Sequence, residues 1–247
     1  MQALILAAGM GTRLNDLTKK APKCMVSVNN KTIIERQLQQ LDTLNLQRII
    51  IVDGYLSNTL EEFINSLDIK TPIIFINNSN YRSTNNIYSL NLAIDYLCET
   101  DTILLESDLV FSSDILQKLV QDPHDNIALI SPYRKWMDGT GVTINDRHTI
   151  THFIPKNSIS SIKNIYKTIN IYKLSKTYCK KYLVYFLDTI IQTLGTNDYY
   201  EQAFRLISEL DSTIMHALIA VPDSWYEIDT KEDLKNAEKL FATHKLI

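Results

Sequence analysis

The sequence lacks several features that would each commit it to a function. Its three cysteines, Cys24, Cys98 and Cys179, form no CxxC pair, so neither a zinc-binding framework nor a disulfide framework is indicated. Reduced thiols in a cytoplasmic protein are the expectation. Positive charge is not in excess either: 25 Lys and Arg face 28 Asp and Glu, a net charge of -3. A binder of nucleic-acid polymers would carry a basic surface, so that class is disfavoured. No apolar run approaches the roughly 20 residues needed to span a bilayer, and no membrane partner is expected. The apolar opening, MQALILAAGMGTR, has no basic region and runs into glycines, which reads as a buried strand and not a secretion signal. Among the five histidines, His148 and His152 are four apart, but they straddle a turn and a strand. Surface positions are expected there, not zinc ligands. No Ser-His-Asp or Cys-His signature is evident, which disfavours hydrolysis through a side-chain nucleophile. Repeats and low-complexity tracts are absent as well.

What is present is an ordinary globular composition, 45% hydrophobic and 21% charged over 247 residues. Short apolar runs at 2–7, 48–52, 72–76, 102–105 and 127–130 read as strands. Helical patterns lie between them, at 32–44, 60–67, 85–97 and 115–120. That alternation predicts an α/β fold, a Rossmann-like mixed, mostly parallel sheet with helices on both faces. After about residue 135 the pattern changes. Residues 141–144, 149–154 and 166–172 alternate like antiparallel strands, and helices follow at 175–194 and 199–210. A strand at 214–221 and a helix at 231–244 close the chain. The expectation is one domain over 1–247, with a nucleotide-binding half at 1–132 and a substrate-binding half, including a small antiparallel extension, at 133–247.

Two of the six glycines fall in Gly9-Met10-Gly11-Thr12-Arg13, directly after the first strand. Glycine lets a loop run close to phosphate oxygens with its N–H groups turned inward. Ligands of open α/β sheets bind beyond the carboxyl ends of the strands, where this loop must lie. Arg13 and, after Pro22, Lys23 add the cations that a triphosphate requires. A dinucleotide site would need a third glycine where Leu14 stands, and the GxxxxGK[ST] spacing is missing. Two carboxylate positions accompany the loop. Asp108 ends the fourth strand beside Glu106, whose direction the pattern leaves open. Asp229 precedes the last helix, where it could be a cap unless Thr230 takes that role.

Leu6 to Arg13 with Thr18, Pro22 and Lys23 follows LxxGxGxRxxxxTxxxPK, and resembles the signature of sugar-phosphate and phosphocholine nucleotidyltransferases. The resemblance implies the nucleotidyltransferase fold, with Leu6, Ala8, Gly9, Met10, Gly11 and Thr12 around the nucleotide. It implies Arg13 at the leaving pyrophosphate, Lys23 at the α-phosphate, and Mg²⁺ held by Asp108 and Asp229. Gly54-Tyr55 resembles the family's pair near the nucleotide. Asn85-Asn86-Ile87-Tyr88-Ser89-Leu90 is similar to a segment of the phosphocholine and aminoethylphosphonate cytidylyltransferases, placing Asn85 and Ser89 near base and ribose. On the substrate side, Lys135, Trp136 and Asp138 combine a cation, an aromatic ring and a carboxylate. An amine would meet Trp136 through cation–π attraction and Asp138 through charge. Lys167 would hold the attacking phosphonate or phosphate, and Glu227 completes the set. The expected reaction is Mg-dependent transfer of CMP from CTP to 2-aminoethylphosphonate, a small phosphonate, with pyrophosphate released. The alternatives are phosphocholine or a sugar 1-phosphate as acceptor. A homodimer is compatible with the sequence.

Overall fold

The computed structural model describes residues 1–134, 137–161 and 164–242. Lys135 and Trp136 lie outside the described residues. The chain opens with β1 (Gln2–Leu6), the short hairpin β2 (Ser27–Val28) and β3 (Lys31–Thr32), then α1 (Ile33–Asp42) and β4 (Ile49–Asp53). There follow α2 (Ser57–Asn65), β5 (Ile73–Asn77), α3 (Asn86–Leu92), α4 (Ile94–Glu99), β6 (Thr102–Glu106), β7 (Leu109–Phe111), α5 (Asp114–Gln121) and β8 (Ile127–Pro132). The second half comprises β9 (Gly141–Ile144), β10 (Ile150–Ile154), β11 (Tyr166–Leu174), α6 (Lys176–Tyr178), a π-helical segment (Cys179–Leu183) and α7 (Val184–Leu194). It ends with α8 (Glu201–Leu210), β12 (His216–Ile219), β13 (Trp225–Glu227) and α9 (Lys231–Leu240).

A strand buried at every position must be covered on both faces, and β1 shows how this is done. Leu4 and Leu6 point into a core built with α3, α7 and α8, while Ala3 and Ile5 point into a second core with α1, α2 and α5. In β4 the division repeats, with Ile50 and Val52 on the first side and Ile49 and Ile51 on the other. Each fully buried Leu or Ile contributes roughly 2 kcal/mol, so the pattern specifies the layers strongly.

Nine strands form the main sheet. β5, β4, β1 and β6 run parallel in that order, which is the expected mostly parallel core. β11 joins it antiparallel to β6 and also pairs with β8 and β9. The antiparallel part is therefore continuous with the main sheet through one long strand. Within β11 the register against β8 shifts between Thr168 and Tyr172, and Asn170 there has a φ of 59°. This left-handed residue is a bulge, and it turns the Asn170 side chain into the cleft described below. Among the described residues, no helix is long and apolar enough to cross a membrane.

Candidate active site

The loop after β1 folds back on itself for steric reasons that fall on Gly11. Its φ is 59°, and a Cβ added there would stand 2.7 Å from the Lys23 Cβ, so only glycine lets Lys23 approach. Thr18 Oγ1 and the Leu14 N–H both donate to the Gly11 carbonyl at 3.0 Å, closing the short 3₁₀ turn over Thr12–Thr18. The GxGxR…T spacing thus has a mechanical meaning. Gly54 and Tyr55 brace this loop from beneath: the Tyr55 N–H donates to Ala8 O at 3.2 Å and its hydroxyl to Thr18 O at 3.0 Å. Leu6, Ala8, Gly9, Gly11 and Thr12 line a cleft of about 670 Å³, and Met10, Gly54 and Tyr55 are not among its lining residues.

Lys23 enters the cleft floor after Pro22 and joins the two expected carboxylates. Its Nζ lies 2.7 Å from Asp108 Oδ2 and 2.6 Å from Asp229 Oδ1, and its side chain is only 13% exposed. Arg13, 60% exposed, reaches the same Asp229 oxygen at 2.6 Å. Burial alone would lower the lysine's pKa, but the two carboxylates outweigh it and hold the ammonium charged. Asp229 is delivered by β13, which pairs antiparallel with β7, and the Ile228 N–H donates to Asp108 O at 3.0 Å. Asp229 does not cap the final helix. Thr230 does, in a capping box with Asp233, which leaves the Asp229 carboxylate for the cleft. Replacing Thr230 by alanine is therefore expected to cost about 1 kcal/mol of stability, read from a denaturant midpoint, with turnover at saturating substrate retained. A collapse of turnover without loss of stability would show that the two residues do not divide the work in this way.

Asp108 Oδ1 is buried and accepts no hydrogen bond among the described residues. A buried anionic oxygen without a donor is unusual unless a cation completes it. With Asp229 beside it, the donor set is two hard carboxylates open to a cleft, which fits Mg²⁺.

Below the aspartates lies a second acidic group. Glu106, Glu201 and Glu227 line one end of the cleft together with Asn86 and Asn170. Burial pushes Glu106 up to about 8, reinforced by Asp108 and Glu201. Burial likewise pushes Glu201 up to about 7 and raises Glu227. Asn86 Nδ2 donates to Glu106 Oε1 at 2.9 Å. Lys167 is the buried counter-ion. At 1% side-chain exposure it sits 3.3 Å from Glu227 Oε2, donates to Thr168 O at 2.9 Å, and is roofed by Gly139. Its ammonium is thus spent on the protein, and Lys167 does not line the cleft. Asp138 does line it, paired with Lys156 at 2.7 Å. Asn85 and Ser89 line the cleft as well, and Asn78 Nδ2 donates to Ser89 Oγ at 3.1 Å.

Glu201 and Asn86 were not singled out as site residues from sequence. A signal existed for Glu201: it falls on the buried stripe of α8 with Ala203, Phe204 and Ile207, where an ionisable side chain is out of place.

A phosphate loop at the end of β1, closed by a lysine that ties two strand-end aspartates together, defines a nucleotidyltransferase. The chain belongs to the MobA-like NTP transferase family, whose domain matches residues 3–244. It is 28% identical to the CTP:phosphoglutamine cytidylyltransferase of Campylobacter jejuni, over 95% of this chain and 98% of that one. It is 26% identical to the CMP-5'-(3-aminopropyl)phosphonate synthase of Streptomyces rubellomurinus, over 98% of this chain but 39% of that protein. Against this second relative the chain spans well under half of the length. Among solved structures, the CTP:phosphocholine cytidylyltransferase of Streptococcus pneumoniae shares the fold, with a TM-score of 0.79 at 24% identity, covering 97% of this chain and 98% of that one.

Proposed function

We propose that this enzyme is a Mg-dependent cytidylyltransferase that joins CMP from CTP to a small aminated phosphonate, 2-aminoethylphosphonate, releasing pyrophosphate. The observation that carries the reading is one cleft holding both the Lys23–Asp108–Asp229 cluster and three glutamates, the buried Glu201 and the half-buried Glu106 and Glu227. The first suits a triphosphate. The second suits a cation, and the relatives named above act, by their names, on phosphorylated or phosphonylated compounds that carry nitrogen.

A phosphonate oxygen attacks the α-phosphorus in line, forming the new P–O bond as the bond to the β-phosphate breaks, and the electron pair leaves with pyrophosphate. Little covalent work falls to the protein, so positioning and charge neutralisation dominate. The N–H groups of residues 9–12 cradle the triphosphate, Arg13 meets the leaving pyrophosphate, and Lys23 meets the α-phosphate. Asp108 and Asp229 would hold Mg²⁺, which supplies further neutralisation of phosphate charge. Asn85 and Ser89 serve the base and ribose side. The acceptor's amine lies towards Glu106, Glu201 and Glu227. Carboxylates accept N–H bonds, which a primary ammonium offers and a trimethylammonium lacks, and this favours an aminophosphonate over phosphocholine.

Pyrophosphate release tests this, with CTP, UTP, ATP and GTP crossed against 2-aminoethylphosphonate, 3-aminopropylphosphonate, phosphocholine, phosphoglutamine and glucose 1-phosphate. CTP with an aminophosphonate is expected to give the highest kcat/KM, and EDTA to abolish release until Mg²⁺ is restored. Turnover with hexose phosphates alone would overturn the acceptor assignment.

A further inference from the structure

At the end of the sheet away from the cleft, we propose that Asp122, His124 and His216 form a binding site for a zinc-class divalent cation. Their ligating atoms all lie within 4.8 Å of one another. Asp122 Oδ1 is 2.7 Å from His124 Nδ1, and the rings of His124 and His216 stack with centroids 3.6 Å apart and planes at 6°. Zinc–ligand bonds of about 2.0–2.1 Å put neighbouring tetrahedral ligands roughly 3.3 Å apart. The Asp122–His124 contact is shorter than that, and the parallel rings aim their nitrogen lone pairs side by side, so binding an ion requires one ring to turn out of the stack.

Separate segments meet here because backbone bonds hold them. The His216 N–H donates to Asn126 O at 2.9 Å as β12 begins beside β8, and Asn126 Nδ2 returns a bond to Ile214 O at 3.2 Å. Lys173 Nζ donates to Asp122 O at 2.7 Å, fixing the turn that carries Asp122. The Ala217 N–H donates to His148 O at 2.7 Å, which brings the exposed His148 ring within 6.2 Å of His216 as a candidate fourth ligand. His216 pairs with Ile127, at the start of β8, while Glu106 and the phosphate loop follow the ends of β6 and β1. The cluster and the cleft thus occupy opposite ends of the strands.

The donor sets differ in kind. The cleft offers hard carboxylates, whereas this cluster offers two imidazoles and one carboxylate, a set that selects zinc-like ions over Mg²⁺. Metal binding needs neutral imidazole, so zinc uptake is expected to weaken as the pH falls. An ion here ties the entry of β8 to β12 and acts as a structural clip, distant from the reacting phosphates. Spacing along the chain hides the cluster, because His216 is remote in sequence from Asp122 and His124.

The test uses tag-free, full-length protein stripped with EDTA and titrated with ZnCl₂ in excess Mg²⁺, followed by calorimetry and metal analysis. One equivalent is expected to bind at micromolar or lower zinc and to raise Tm. Co²⁺ in its place is expected to give a visible tetrahedral spectrum. His216→Gln and, separately, His124→Gln are each expected to weaken binding by about 10-fold or more, with Mg-supported turnover unchanged; the half-exposed His124 serves if the His216 variant folds poorly. His152→Gln is expected to leave binding intact. Absence of stoichiometric zinc binding, or binding that survives both histidine variants and disappears in Asp108→Asn, would overturn the proposal.

Discussion

Replacing Lys23 by alanine is expected to lower kcat by about 100-fold or more, the scale of losing a preorganised electrostatic stabiliser. The ammonium is held by two carboxylates at 2.6 and 2.7 Å, in a position that Gly11 keeps clear by carrying no side chain. Alanine leaves Asp108 and Asp229 facing each other, with the mostly exposed Arg13 still paired to Asp229. Some stability is lost as well, because breaking a buried ion pair strands its charges. A second measurement separates that loss from chemistry. If Asp108 and Asp229 hold Mg²⁺ as proposed, Lys23 competes with it for the same carboxylates, so its removal is expected to tighten Mg²⁺ binding while turnover falls. Asp108→Asn is expected to lose a similar factor in kcat and to weaken Mg²⁺ binding, the opposite sign. Near-normal turnover in either variant would sink the assignment of this cluster to catalysis.

The signs of that comparison depend on residues brought together from distant parts of the chain, and the sequence discloses only some of them. β1, β4 and β6 are legible because each carries a continuous apolar run, Ala3 to Leu6, Ile49 to Val52 and Ile103 to Leu105. The loop was legible because its glycines and cations are contiguous. By contrast β7 and β13 have three residues each, too few to show a period, yet their pairing is what sets Asp229 beside Asp108. Only resemblance could couple those two aspartates. The helical pattern at 85–97 also hides a break at Ala93, whose φ and ψ of -99° and 9° end α3. β11 misled for a different reason. It is buried from Lys167 to Leu174, so alternation gives no inside and outside, and the bulge at Asn170 resets the phase midway. Lys167, expected to meet the acceptor, is consequently enclosed as the partner of Glu227.

Enclosing that lysine changes what the floor of the cleft can recognise, and Glu201→Gln measures it. Three glutamates share one buried lysine there, so their full ionisation leaves an excess of negative charge that only a bound cation relieves. An acceptor ammonium would supply it. Truncating one partner of a buried charge pair costs about 2–5 kcal/mol, so KM for 2-aminoethylphosphonate is expected to rise roughly 30-fold or more. KM for CTP is expected to stay nearly constant, since the side chains that act on Glu201 are Lys167, Asn86 and Glu227. Ethylphosphonate, which lacks the amine, is expected to be a poor acceptor of the wild type and to be little affected by the substitution. The pH dependence carries the same sign. Glu201 titrates near 7 because burial disfavours its charge, and a bound ammonium favours that charge. Acceptor binding should therefore release protons below pH 7, and KM for the aminophosphonate should fall as pH rises from about 6 to 8. In Glu201→Gln that fall is expected to flatten. An unchanged KM, or a rise equal for both phosphonates, would place the amine elsewhere in the cleft and return Asp138 to its expected role as the amine's partner.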